Sequence, residues 1–308
     1  MGGDVQRMRI YQTVEPVPSR VLGLLRLLYH SEEHGLPRST IIDLLQPKSL
    51  RTKESADNLA TNTIAAVIEL STVDVRLVEE KEDDKGQLKL SLDTELFGCA
   101  DQLFDDRVRF LLERAALRPE VKDSPNGFAT VCAWLLWQSP ANMPQGHAEL
   151  KKRMQSDGLN YEELGLNNDA RWDMVVYWAT YFGLLWQWQD EKCKGLVSDP
   201  STYLMRHLDE LLPSKSQVSI REFIATLSHI CPVLDGGTMH ETVANELTKK
   251  GVLPANHRER LSPALSFALR NLKEQAILRY WCPDDQRIFH LMSFDEKVAF
   301  IAREGESS

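Results

Sequence analysis

The residues best suited to binding chemistry are the basic side chains near the C-terminal end of the chain. From Lys249 to His290 there are eight Lys or Arg residues against four acidic ones, inside a chain whose net charge is −9. Clustered Lys and Arg supply most of the affinity for the phosphates of nucleic acid. An ordinary solvated helix face with local salt bridges is the competing interpretation. The predicted DNA-contacting residues are Arg258, Arg260, Ser262, Ser266, Arg270, Lys273 and Arg287.

The spacing of these residues places most of them on one helix. Ser262-Pro263 predicts an N-cap followed by proline at the first helical position. Arg258 and Arg260 precede this N-terminus, where backbone N–H groups also favour a phosphate. Ser266, Arg270 and Lys273 follow Ser262 at steps of four, four and three, so we expect the four side chains to share the exposed side of the helix.

A second charged stretch is acidic and lies in the run VDVRLVEEKEDDKGQLKLS, Val73–Ser91. Two alternating segments around a turn at 83–86 predict a β-hairpin. Its carboxylates would lie close to DNA phosphates and repel them, so contact with a protein partner or with solvent is the favoured interpretation. The predicted partner-binding residues are Glu79, Glu80, Glu82, Asp83 and Asp84.

Catalytic and metal-binding motifs are not recognisable in the sequence. His240-Glu241 lacks the second histidine of HExxH, His257 has no nearby Cys or His, and GxxxxGK[ST], GxGxxG and GxSxG do not occur. WLLW at Trp134–Trp137 and WQW at Trp186–Trp188 lack flanking basic residues, which favours core packing over base stacking. We therefore predict no catalytic residue, no metal and no cofactor, while a site assembled from distant residues stays open.

The elements around these residues have the same order at both ends of the chain, at an offset of about two hundred residues. Each end is predicted to contain three helices followed by a two-stranded hairpin, which is the order of a winged helix-turn-helix. At the N-terminal end, Ser19 is the expected N-cap and Gly35 the expected stop of the first helix. The N-terminal helices are then Ser19 to about Gly35, Ser39–Leu45 and Asn58–Leu70; the C-terminal ones are Ser219–Cys231, Met239–Lys250 and one from Ser262, before a hairpin of AILRYW and RIFHLM.

The middle of the chain, about 96–213, is predicted to contain only helices. Asp101–Leu117 is amphipathic, Phe128–Gln138 holds two tryptophans, and Asp169–Gln189 is apolar nearly all round, as expected of a buried helix. The predicted fold class is mainly α, with two winged helix-turn-helix modules flanking a helical bundle. The predicted domains are 1–95, 96–213 and 214–308.

Composition and cysteine usage limit the class of protein to which the chain can belong. The chain of 308 residues is 43% hydrophobic and 26% charged, as expected of a globular protein rather than a disordered one. The five cysteines lie far apart without a CxxC pair, the N-terminus has no secretory leader, and no apolar segment is long enough to span a bilayer. We expect a cytoplasmic protein that does not bind membranes.

The chain also resembles a known family. The run PSRVLGLLRLL, Pro18–Leu28, the tryptophan-rich middle and the second winged module together resemble the G component of the Dpd systems. These are bacterial anti-phage loci that place 7-deazapurines in DNA and restrict DNA lacking them. The resemblance implies a non-enzymatic member of a multi-protein defence complex, in which other subunits supply helicases or nucleases.

Two functions from different classes follow from these observations. The first is a DNA-binding adaptor or regulator in a prokaryotic complex, with double-stranded DNA held by the C-terminal third helix and protein partners held by the acidic hairpin and the middle. The second is a protein scaffold whose winged helices mediate subunit docking or homodimerisation without DNA. A cryptic enzyme in the middle is the third interpretation. A continuous positive surface would favour DNA binding, and interspersed charge would favour the scaffold.

Overall fold

The fold was analysed from a computed structural model, in which the chain divides into two compact units. The N-terminal unit is Arg7–Arg118 with Ala170–Trp178, and the C-terminal unit is Pro119–Asp169 with Ala179–Ser308. The structure describes residues 8–50, 58–72, 74–82, 86–121, 124–189, 194–213, 217–254, 256–283, 289–292, 294 and 296–305, except for the side chains of 50, 95, 97, 121, 189, 194 and 258.

The described N-terminal unit combines helices with one small antiparallel sheet. Its helices are α1 (Arg9–Gln12), α2 (Pro18–Tyr29), α3 (Arg38–Leu45), α4 (Asn58–Leu70), α5 (Thr94–Phe97) and α6 (Asp101–Leu117). Its strands are β1 (Gly35–Pro37), β2 (Val78–Glu82) and β3 (Leu88–Leu92). The strand order is β1-β3-β2, so the strand that follows α2 pairs with the last strand of the hairpin.

Helix α2 has the predicted buried stripe but different ends. Val21, Leu24, Leu25 and Leu28 are fully buried, as their spacing predicts. The prediction that Ser19 is the N-cap is wrong: Val17 is the N-cap and Pro18 occupies the first turn, where a missing N–H costs no hydrogen bond.

Gly35 belongs to a strand, so the prediction that it ends α2 is also wrong. Helix α2 ends at Tyr29, and His34 takes a positive φ of 48° in the turn that follows. Gly35 then pairs with Ser91 across the sheet, where an added Cβ would lie 2.4 Å from the Ser91 hydroxyl oxygen. The glycine is needed for this close approach of two strands.

Helix α4 has the predicted bounds, and the hairpin of β2 and β3 forms where it is predicted. Ile64, Val67 and Leu70 are buried as expected. Leu59 and Ile68 are also apolar, but both are only partly buried. Ala60, Thr63 and Ala66 are buried in their place, so the inward face is rotated toward smaller side chains.

The described C-terminal unit holds more helices and several short strands. Its helices are α7 (Gly127–Trp137), α8 (His147–Ser156), α10 (Ser201–Arg206), α11 (Leu208–Leu211), α12 (Ile220–Ile230), α13 (Thr238–Lys249) and α14 (Pro263–Glu274), while α9 (Asp169–Tyr181) contributes residues to both units. Its strands are β4 (Glu120–Val121), β5 (Ser124–Pro125), β6 (Trp186–Gln189), β7 (Lys194–Val197), β8 (Val218–Ser219), β9 (Arg260–Leu261), β10 (Leu278–Trp281), β11 (Phe289–Leu291), β12 (Lys297–Val298) and β13 (Phe300–Arg303).

Helix α7 is the centre of the C-terminal unit. All of its residues are buried, including Trp134 and Trp137, which confirms the predicted core packing of WLLW. The Asn126 side chain caps the helix by accepting hydrogen bonds from the N–H groups of Phe128 and Ala129, at 3.0 and 3.3 Å. A helix that is apolar on every side must be covered on every side, and α13 and α14 both pack against it.

The prediction of only helices between 96 and 213 is wrong. Helix α9 ends at Tyr181, and Gly183 follows with a positive φ of 77°. The chain then forms the antiparallel hairpin of β6 and β7. Trp186 and Trp188 lie two residues apart on β6, so their side chains share one face of the hairpin, where they are 55% and 37% exposed. The predicted core packing of WQW is therefore wrong too.

The predicted C-terminal hairpin is replaced by two other pairings. Strand β10 pairs with β13, and β11 pairs with β12 and lies parallel to β9. Strand β13 pairs four residues in register with β10, whereas no strand was predicted after Met292. Strand β8, which precedes α12, pairs with β13 and completes the sheet β10-β13-β8. In the N-terminal sheet the added strand is β1, which follows α2, so the sheets at the two ends of the chain differ in topology.

The described residues are mostly helical, with five sheets of two or three strands. Helix α6 is grouped with the N-terminal residues, and the three domains 1–95, 96–213 and 214–308 stay a prediction. Among the described residues, no helix combines the length and apolar character that crossing a bilayer requires.

Candidate functional site

Ser262, predicted to contact DNA, is instead a buried cap of α14. Its hydroxyl accepts a hydrogen bond from the N–H of Leu265 at 3.2 Å and donates one to Asp235 Oδ2 at 2.6 Å. Its backbone N–H donates to Asp235 Oδ1 at 2.6 Å. The predicted N-cap with proline after it is confirmed, and the same hydrogen bonds take the side chain away from solvent.

Ser266 is buried one turn later. Its hydroxyl donates to the carbonyl of Leu261 at 3.4 Å and accepts from the N–H of Met292 at 2.9 Å. The expectation that Ser262 and Ser266 share an exposed side with Arg270 and Lys273 is therefore wrong. The physical reason is that Asp235, the carbonyl of Leu261 on β9 and the N–H of Met292 cover this side of α14 and form hydrogen bonds with its two hydroxyls.

Arg270 and Lys273 are partly exposed, but each lies beside a carboxylate. Arg270 Nε donates to Glu274 Oε1 at 3.0 Å, and its guanidinium lies 4.6 Å from the ring centre of Phe294. Lys273 Nζ lies 3.4 Å from Glu296 Oε2 and 4.1 Å from the ring centre of Tyr280. The positive charge of these two side chains is thus balanced locally.

Tyr280 strengthens this local balance. Its hydroxyl donates to Glu296 Oε2 at 2.6 Å. The pKa of Glu296 is lowered by that hydrogen bond and by Lys273, while the pKa of Tyr280 is raised by burial and by the same hydrogen bond. Glu296 therefore stays ionised and remains a partner for Lys273.

The other predicted cations separate into two groups. The side chain of Arg258 and the whole of Arg287 lie outside the described residues. Arg260 is exposed on β9, where it lines a cavity of the C-terminal unit. The structure therefore does not bring the described members of the predicted DNA surface onto one face of α14.

The acidic hairpin of the N-terminal unit has the predicted character where it is described. Glu79 and Glu82 are exposed on β2. Glu80 is half-buried and accepts a hydrogen bond from Arg38 at 2.9 Å. Asp83 and Asp84 lie outside the described residues. The apolar side chains of Val78, Leu90 and Leu92 are buried, so the carboxylates project from a packed sheet.

The cavity beside Arg260 brings together residues that the sequence analysis left apart. Its volume is about 200 Å³, and it is lined by Trp137, Ile224, Asp235, Gly236, His240, Glu241, His257, Arg260, Leu261 and Phe289. The ring of His240 stacks on Trp137 at 4.5 Å between centres, with 21° between the planes. His257 approaches the same indole edge-on at 6.0 Å.

Both histidines are buried, with polar atoms that have no hydrogen-bond partner. His240 is 3% exposed; its Nε2 lies 3.7 Å from Asp235 Oδ2 and its Nδ1 lies 3.8 Å from Glu241 Oε1, beyond hydrogen-bond distance. His257 is 5% exposed, and its Nδ1 lies 3.2 Å from the carbonyl oxygen of Pro254 and 3.2 Å from Thr248 Oγ1, whose hydroxyl donates to the carbonyl of Ala244 at 2.8 Å. Because both neighbouring oxygens then accept, Nδ1 donates, and Nε2 has no hydrogen-bond partner.

This arrangement does not match the familiar metal or nucleophile geometries. Among the described residues, no group of three His, Cys, Asp or Glu side chains is placed to hold a metal ion. Ser262 donates to Asp235 and not to an imidazole, so Asp235 lies between Ser262 and His240 and the serine has no adjacent base. The mixture of donors, acceptors and aromatic walls suits binding.

Sequence reasoning missed this site because its members are distant in the chain. The N–H of the Trp137 indole donates to the carbonyl of His240 at 3.4 Å, across 103 residues. His240 and His257 were read as isolated histidines. No local spacing relates either of them to Trp137, which was predicted to be a core residue and is one.

A family model described as DpdG-like matches residues 8–285 of the chain. No curated protein and no solved structure matches it.

Proposed function

The chain belongs to the DpdG-like family, and from this premise we propose that it is a non-enzymatic adaptor subunit acting mainly through contacts with protein partners. Membership of the family suggests a role in a Dpd anti-phage system and implies a multi-protein complex. The observation that carries the proposal is the distribution of charge: the described cations of α14 are each beside a carboxylate. On β2, Glu79 and Glu82 are exposed against one lysine, Lys81, which pairs with Glu79 at 2.7 Å, so the exposed side of the strand keeps a net negative charge.

The acidic hairpin is the docking surface that we assign to this adaptor. Interspersed charge on α14 supports a scaffold over a DNA-binding protein, because a polyanion requires a continuous positive surface. The exposed carboxylates of β2 are complementary to a basic protein surface, and such complementarity guides association and orientation. The partner that we propose is therefore a subunit of the assembly with a basic face.

Reversing the hairpin charge tests this proposal. Glu79→Lys combined with Glu82→Lys should lower affinity for the other subunits by about a hundredfold, since like charges across an interface cost several kcal/mol. The measurement is co-elution in size-exclusion chromatography after co-expression of the assembly. Glu32→Lys reverses an exposed carboxylate of the same unit outside the hairpin and should have no effect. Undiminished co-elution of the double variant would sink the proposal.

A second candidate function is a DNA-binding adaptor, and it is favoured by the N-terminal unit. We propose that this unit is a winged helix-turn-helix. The support is the order of α2, β1, α3, α4 and the hairpin, with β1 paired to β3. Asn58 is exposed at the start of α4 and Thr61, Asn62 and Ala65 are half-exposed, and asparagine can bind adenine edges in a major groove.

Fluorescence anisotropy with duplex DNA at two salt concentrations distinguishes the two candidates. If α4 binds the groove, Asn62→Ala should weaken binding by about tenfold. If the C-terminal surface binds phosphates, Arg270→Glu with Lys273→Glu should weaken binding and lower the salt slope by about one unit per lost contact. Absence of binding by the unaltered protein at low salt would leave the docking adaptor as the function.

A further inference from the structure

The cavity of the C-terminal unit contains buried polar atoms that the protein leaves without partners. Neither ring nitrogen of His240 forms a hydrogen bond, and neither does Nε2 of His257, although the two residues are only 3% and 5% exposed. Buried polar groups in folded proteins are almost always paired, with protein, water or a ligand. Two such histidines lining one cavity indicate that an occupant completes their hydrogen bonding.

The shape of the cavity limits the size of that occupant. Its volume is about 200 Å³, and a cavity of about 150 Å³ in another protein accommodates benzene. Trp137, Ile224 and Phe289 provide apolar wall. A single six-membered ring with a substituent of a few atoms matches this space, and apolar walls of this kind favour a planar ring.

The charges around the cavity indicate that the occupant is neutral. Asp235 is already bonded through both carboxylate oxygens to Ser262, and Glu241 lies beside His240. Arg260 is the exposed cation among the described lining residues. An anion would meet the carboxylates of Asp235 and Glu241, whereas a cation would meet Arg260. Charges of both signs in one small cavity disfavour either ion.

The hydrogen-bonding groups require an occupant that both donates and accepts. With Nδ1 of His257 donating to Pro254, Nε2 accepts whenever the ring is neutral. Arg260 has only donors, and His240 supplies at least one N–H in either charge state. An amide group matches this set, because its N–H₂ donates and its oxygen accepts. A carboxylate or an amine supplies only half of it.

We propose that this cavity binds a small, neutral, planar aromatic carboxamide. The ring would occupy the space beside Trp137 and Phe289, the amide N–H₂ would donate to His257 Nε2, and the amide oxygen would accept from Arg260 or His240. The proposal does not depend on the adaptor function or on DNA binding, since it rests on the lining of one cavity within the C-terminal unit.

Isothermal titration calorimetry of the full chain with benzamide tests the proposal. We expect a dissociation constant of about 1 mM, given the affinity that about nine non-hydrogen atoms can supply. Benzoate and benzylamine have the same ring and should bind at least about tenfold more weakly, because each places a like charge near one lining group. Absence of benzamide binding up to about 10 mM would overturn the proposal. Equal or tighter binding of either charged analogue would overturn the neutral class.

Two variants locate the binding and separate it from loss of fold. His257→Phe removes the acceptor and should weaken benzamide binding about tenfold. Because that substitution alters a buried site, Arg260→Ala provides the second test: the side chain is exposed, and its removal should also weaken binding about tenfold. The matched control is Arg221→Ala, an exposed arginine of the same unit that does not line the cavity. Benzamide binding that is unchanged in Arg260→Ala and in a folded His257→Phe would overturn the assignment.

Discussion

Helices α4 and α14 are the third helices of two predicted modules of the same design, yet they differ in which residues they expose. On α4, Asn58 is exposed and Thr61 and Asn62 are half-exposed. On α14, the corresponding first turns are buried, with Ser262 and Ser266 hydrogen-bonded inside. Helical periodicity predicts a polar side, but surrounding elements decide whether that side reaches solvent.

The origin of the difference is what surrounds α14. The helix packs against α7 and α10, and its serine side is covered by Asp235, by Leu261 of β9 and by Met292, which bind the two hydroxyls. Within the described N-terminal unit, α4 packs against α1, α2 and α3 and keeps its polar side accessible. Two helices with a similar sequence pattern can therefore differ in whether their polar side reaches solvent, depending on the elements packed around them.

The largest expected difference between the two helices is in the free energy of unfolding that is lost when an apolar side chain is truncated to alanine. Leu269 and Ile68 correspond at the predicted offset of about two hundred residues, but Leu269 is fully buried and Ile68 is partly exposed. We expect Leu269→Ala to lower the free energy of unfolding by about 2–5 kcal/mol and Ile68→Ala by about 1 kcal/mol. Urea-induced unfolding of the full chain, followed by circular dichroism, measures both.

Ile64 and Leu265 provide the control for this comparison, since both are fully buried. Alanine at either position should cost about 2–5 kcal/mol. If Ile68→Ala proved as costly as Leu269→Ala, the two helices would be covered alike and the difference between the modules would disappear.

The parts of the fold that sequence reasoning predicts correctly are those decided by neighbours along the chain. The bounds of α4 and α6 and the cap of α14 follow from periodicity and from Ser262-Pro263. The pairing of β10 with β13, the turn at Gly183 and the cavity around Trp137 depend on residues far away in the sequence. The outward-facing Trp186 and Trp188 were misassigned because their apolar character was taken for that of a helix core.

A smaller effect separates the first helices of the two predicted modules, α2 and α12, each of which has a serine at or near its start. Ser219 forms a capping box with Glu222, its hydroxyl accepting from the Glu222 N–H at 3.2 Å, whereas Ser19 lies inside α2 and caps nothing. We expect Ser219→Ala to lower the free energy of unfolding by about 1 kcal/mol. Ser19→Ala should change it by less than about 0.5 kcal/mol. Thermal unfolding of both variants at neutral pH makes the comparison, and equal losses would contradict it.

The capping box also predicts how this difference depends on pH. The pKa of Glu222 is lowered below its ordinary value of 4.5, because the backbone N–H of Ser219 and then its hydroxyl donate to the carboxylate. A lowered pKa in the folded state means that the carboxylate contributes stability above pH 4.5, and that this contribution is lost as the pH falls through the lowered pKa. The gap in melting temperature between the unaltered protein and Ser219→Ala should therefore narrow in acid without closing, since the hydrogen bond from the Glu222 N–H to the Ser219 hydroxyl does not titrate. Ser19→Ala removes no such hydrogen bond and should follow the unaltered protein at every pH. A gap for Ser219→Ala that stays constant into acid would show that the hydrogen bond from the Ser219 hydroxyl to the Glu222 carboxylate adds nothing to the cap.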